Sequence, residues 1–108
     1  MAQLTIQQLL GDTATVDFND GYIKIGIADL GITGLNEANG AKGVAIVAAI
    51  IKKAFPVINQ NTDETLNASA LLSVSSPSVR AGVQKTLYDY VFSFYAPYLA
   101  PTLDPDDL

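Results

Sequence analysis

The sequence predicts an α+β domain: an N-terminal β-hairpin, with or without a further strand, forming a single layer of sheet covered by about three to four helices. Three patterns predict it. Residues 13–28 alternate apolar and polar side chains around Asp20-Gly21, residues 44–55 repeat apolar side chains every three or four positions, and residues 79–94 do the same. The chain has 108 residues, enough for one core, and reads as a single globular domain over 1–100 followed by a flexible acidic tail over 101–108.

Thr5 and Gln8 have capping-box spacing, and Ile6, Leu9 and Leu10 share one side of a short helix that Gly11 stops. Asp20-Gly21 suits a two-residue type I′ turn, in which both positions need positive φ. That loop sets Phe18 opposite Ile23, Val16 opposite Ile25 and Ala14 opposite Ile27 on an apolar side. Asp17 then faces Lys24 on the polar side.

The glycine-rich stretch 29–43 reads as a loop into the next helix, with Asn36 or Asn39 as its N-cap. In that helix Val44, Val47, Ile50, Ile51 and Phe55 form the stripe, and Pro56 ends it. Asn61 and Glu64 open a further helix through Leu66, Ala70 and Val74, with a strand over Ala68–Ser75 as its rival. Ser76 as N-cap and Pro77 at the first helical position start the last helix, which carries Val79, Val83, Leu87, Tyr90, Val91 and Phe94 up to Pro97. The alternative is a strand over Thr86–Tyr95, with Thr86, Tyr88, Tyr90, Phe92 and Phe94 on one face. The expected core is Phe18, Ile23, Ile25, Val47, Ile50, Ile51, Val83, Leu87, Val91 and Phe94.

The residue inventory limits the chemistry. There is no Cys and no His, so disulfides, thiolate metal sites and Ser-His-Asp or Cys-His catalysis are excluded. A net charge of −5 opposes nucleic acid and anionic membrane surfaces as partners. Residues 1–10 lack the basic and apolar regions of a secretory signal, so a soluble cytoplasmic protein is expected. The glycine-rich stretch does not fit a phosphate loop, because Gly43 stands where that loop needs a hydroxyl after Lys42. The segment from Asp17 does not fit a calcium loop, because its fifth residue is Gly21 and its twelfth is Ala28. Asp89 falls beside Lys85 as a solvated i, i+4 pair, not as half of a catalytic carboxylate pair. No catalytic, cofactor-binding or metal-ligating residue is assigned, and no cofactor is expected.

The aromatic residues give the best handle on function. Six of the nine lie between Thr86 and Leu99. On a helix the apolar stripe from Val79 to Phe94 fills an arc of about 120°. Tyr88, Phe92 and Tyr95 fall outside it, and Tyr98 follows past Pro97. These four form the candidate interface, since aromatic side chains concentrate at interface cores and Tyr tolerates partial wetting. The bland reading is a central helix wrapped on two sides by its own domain. The reading adopted is a non-catalytic structural or interaction subunit that self-associates or binds another protein through this segment. A small binding protein for an apolar ligand and a small enzyme using carboxylate, Lys or Tyr chemistry remain the alternatives.

Overall fold

The computed structural model describes residues 4–32, 42–59, 63–98 and 101–108. Helix and strand are both present, but the arrangement differs from a hairpin under three to four helices. Helix α1 (Ile6–Leu10) and strands β1 (Thr15–Asp17) and β2 (Tyr22–Lys24) are followed by a single turn of helix, α2 (Ile27–Leu30), and by the long helix α3 (Gly43–Asn59). The remainder of the regular structure is mainly β: β3 (Ala68–Val74), β4 (Ser78–Arg80), β5 (Val83–Lys85) and β6 (Tyr88–Phe94), then a 3₁₀ turn over Pro105–Asp107.

Helix α1 forms as its sequence dictates. Thr5 Oγ1 accepts from the Gln8 N–H, the Gln8 side chain accepts from the Thr5 N–H, and Gly11 leaves the helix at φ 108°. The N-terminal hairpin also forms, with its register moved by two residues: Val16 pairs with Ile23 and Asp17 with Tyr22. The cause is Asp17. Its carboxylate accepts the Asp20 N–H at 3.0 Å and its carbonyl accepts the Gly21 N–H at 2.8 Å. This side-chain turn closes a loop over 18–21 and displaces the two-residue turn expected at Asp20-Gly21. A slip of two keeps every side chain on its own face, so the Lys24 ammonium still reaches the Asp17 carboxylate, at 3.1 Å. It also carries Phe18 out of the strand to the loop tip, where the ring is 91% exposed.

Thr13 joins this hairpin to α2. Its N–H and hydroxyl both donate to the Asp29 carboxylate, and its hydroxyl oxygen accepts the Gly26 N–H. The Thr13 hydroxyl, then its N–H, holds the Asp29 carboxyl below the usual carboxylate range. A Cβ on Gly26 would lie 2.2 Å from the Thr13 hydroxyl oxygen, so only glycine permits this approach.

Helix α3 touches α1, α2 and β3. It runs one turn past Pro56, where the sequence reading ends it. The ring removes one donor and costs the Lys52 carbonyl its partner, but the last turn is held from outside: Ile58 is buried and the Asn59 side-chain amide donates to the Ala70 carbonyl at 3.0 Å. The proposed N-caps Asn36, Asn39 and Asn61 lie outside the described residues.

The expected helices through 61–74 and 76–96 are corrected. Ala68 to Val74 pair residue by residue with Phe94 to Tyr88, antiparallel, and Ser78 to Arg80 pair with Lys85 to Val83. The four strands are the two legs of one long hairpin that turns at Ala81-Gly82, both at positive φ (52° and 77°). Between the Ser75–Leu87 hydrogen bond and the Ser78–Lys85 pair, Ser76 and Pro77 stand against Thr86 alone. Pro77 therefore sits in a bulge, where its missing N–H breaks no ladder bond, instead of opening a helix. Asp89 faces Ser73 across the ladder, so the helical pairing with Lys85 does not arise.

The expected core is corrected with it. Phe18, Ile23, Val47, Val83, Leu87, Val91 and Phe94 are exposed, while Ile25, Ile50 and Ile51 are half-buried. Among the described residues only Ala14 and Ile58 are buried hydrophobics. The chain exposes 8442 Å², about 2,700 Å² more than the ~5,800 Å² of a compact monomer of this mass. Its radius of gyration is 16.4 Å, against about 13 Å for a compact domain of similar length.

Candidate functional site

The exposed apolar surface is organised by the C-terminal hairpin. Successive side chains alternate between faces, so β3 contributes Ala68, Ala70, Leu72 and Val74 to one face, and β6 contributes Tyr88, Tyr90, Phe92 and Phe94. That face holds no polar residue apart from the two tyrosine hydroxyls. The other face is mostly polar, pairing Ser69 with Ser93 and Ser73 with Asp89 around Leu71–Val91.

Helix α3 covers only the middle of the apolar face. The Phe55 ring meets Tyr90 at 5.3 Å and Phe92 at 6.4 Å, both edge-to-face, an arrangement that sets a ring's positive rim against its neighbour's negative face. Tyr90, Phe92, Ala70 and Leu72 are half-buried as a result, while Val74, Tyr88 and Phe94 stay exposed.

The two edges of the hairpin are unlike. The Tyr95 N–H donates to the Asn67 carbonyl and the Ser75 N–H to the Leu87 carbonyl. These bonds fix the alternation: odd-numbered residues of β6 turn their backbone groups toward β3, and Tyr88, Tyr90, Phe92 and Phe94 turn theirs outward. On β3 the outward carbonyl of Ala70 is taken by Asn59. Strand β6 has β3 as its single neighbour among the described residues, so its outer edge is open.

Of the four candidate interface residues, Tyr88 and Phe92 share the apolar face. Tyr95 projects from the opposite face, where its hydroxyl lies 3.0 Å from Ser69 Oγ. Tyr98 follows the strand and is almost fully exposed. The sequence reading missed Phe94 and the edge itself as parts of the site. The alternation over 86–95 was the signal for both, since it sets Phe94 beside Tyr88 and Phe92.

Next to this surface, Leu4, Leu9, Ile58, Leu66, Phe94 and Leu108 help line a half-open apolar cleft of about 200 Å³. Its volume is below the roughly 300–1,000 Å³ of ordinary small-molecule pockets. Among the described residues there is no cluster of three or more acidic side chains able to hold a metal, and no helix is long and apolar enough to cross a membrane. The chain matches no protein-family model, no curated protein and no solved structure.

Proposed function

We propose that this chain is a non-catalytic structural subunit that self-associates through its C-terminal hairpin. The observation that carries the reading is an apolar strand face, only half covered by α3, lying against an open strand edge. Contiguous apolar patches of this kind are rare on monomers and mark contact surfaces. The surplus surface of about 2,700 Å² per chain is about 5,400 Å² for a pair, enough to supply the roughly 2,000–5,000 Å² that permanent homodimers bury in total.

Sedimentation velocity over a dilution series tests it. Dimers or larger species at micromolar concentration are expected, with dissociation on dilution. A folded monomer at every micromolar concentration refutes self-association.

A further inference from the structure

We infer that two copies join β6 to β6 in antiparallel fashion, with a two-fold axis at Val91, into a four-stranded sheet ordered β3-β6-β6-β3. The inference rests on the self-association proposed above and specifies its geometry.

Three features of the strand select this pairing. First, the edge is lightly protected: the residues 88–94, YDYVFSF, contain no Lys, Arg or Pro, and Asp89 is their one charged side chain. The β3 edge, by contrast, is engaged by Asn59 at Ala70.

Second, the backbone phase fits. Outward-facing residues must meet outward-facing residues for bonds to form. An axis at Val91 sets Tyr90 against Phe92 of the second copy and Tyr88 against its Phe94, all outward-facing. Val91 meets its own copy at a non-hydrogen-bonded position. No other centre overlaps the full seven-residue strand.

Third, the side chains are compatible with themselves. Tyr pairs with Phe throughout the apolar face, and Asp89 meets Ser93 of the second copy, whereas parallel in-register pairing would place Asp89 beside Asp89. A two-fold axis normal to the sheet keeps both apolar faces, and both copies of α3, on the same side. The result is one sheet layer with two helices over it, which covers Tyr88 and Phe94 as neither copy does alone.

The absence of cysteine makes the test direct. At a non-hydrogen-bonded antiparallel pair the Cα atoms are about 4.5 Å apart, within the ~4.4–6.8 Å that a disulfide spans. Val91→Cys is expected to give a disulfide-linked dimer under mild oxidation, at least tenfold faster than Ser93→Cys. Two Ser93 positions lie about four residues out of register, roughly 13 Å apart along the strand. Equal rates for the two variants overturn the pairing. A wild-type dimer whose Val91→Cys variant does not crosslink overturns the pairing and leaves self-association standing, while a wild-type monomer overturns both. A measurement on the unmodified chain covers the case of a variant that misfolds. Backbone amides of Tyr90 and Phe92 should gain hydrogen-exchange protection as concentration rises, and protection independent of concentration overturns the pairing.

Discussion

Substituting the two turn residues of the C-terminal hairpin separates the strand arrangement from a helical one by sign. Ala81 has φ 52° and Gly82 φ 77°. The left-handed region costs a residue with a Cβ about 1–2 kcal/mol. Ala81→Gly removes that cost but adds backbone freedom to the unfolded chain, worth about 0.4–1 kcal/mol in the other direction. The net expectation is a gain of roughly 0.5–1 kcal/mol. Gly82→Ala imposes the same cost where none was present. A Cβ there meets nothing within 4 Å, so no packing change complicates the reading, and the loss is offset only by the reduced unfolded-state freedom.

On a helix both signs reverse, because Ala is favoured over Gly by about 0.8–1 kcal/mol at any interior position. Thermal melts at one fixed protein concentration read the difference, with Ala81→Gly rising and Gly82→Ala falling by about 2–4 °C each. A fall for Ala81→Gly together with a rise for Gly82→Ala would refute the hairpin.

Two further perturbations probe the joints of the fold. Phe55→Leu keeps most of the apolar bulk but removes both edge-to-face contacts on β6, at about 0.5–1.5 kcal/mol each, so the urea midpoint should fall by the equivalent of about 1–2 kcal/mol at unchanged slope. In a Tyr90→Leu background that loss should shrink by roughly half, and an undiminished loss would mean the rings are not coupled. Asp17 is held below the ordinary value of 3.8 by the Asp20 N–H and then Lys24, Asp29 by the Thr13 hydroxyl and N–H, and Asp63 by the Thr65 hydroxyl and N–H. The folded chain therefore binds these protons less readily than the unfolded one. Their contribution is complete above 3.8 and is lost as pH falls through the lower folded-state values. Melts between about pH 6 and about pH 2.5 should show that decline, and Asp29→Asn should remove part of it.

What the sequence determined by itself is local. The α1 capping box with its glycine stop and the body of α3 follow from residues within a few positions of one another, and each formed as its spacing dictates. The N-terminal hairpin was legible as far as the face that Val16 and Ile23 share and the face that Asp17 and Lys24 share, but Phe18 lies in the loop and Ile27 in α2. Its register was not, because Asp17 can build a turn of its own and the choice between two closures whose registers differ by two residues is narrow.

The C-terminal third was decided by tertiary pairing. Apolar residues are so frequent from Val83 to Tyr95 that helical spacing and alternation both fit, and neither period excludes the other. Residues 68–74 made the choice, supplying seven antiparallel partners to 88–94 and an apolar face to match, with Phe55 of α3 laid against it. Ala81-Gly82 is a weaker turn signal than Asn-Gly, since alanine resists the positive φ that the partnered strands impose. The concentration of large rings near Leu99 was visible from composition. Which of them share a surface depended on whether consecutive side chains step by 100° or by 180°, and only the strand partner settles that.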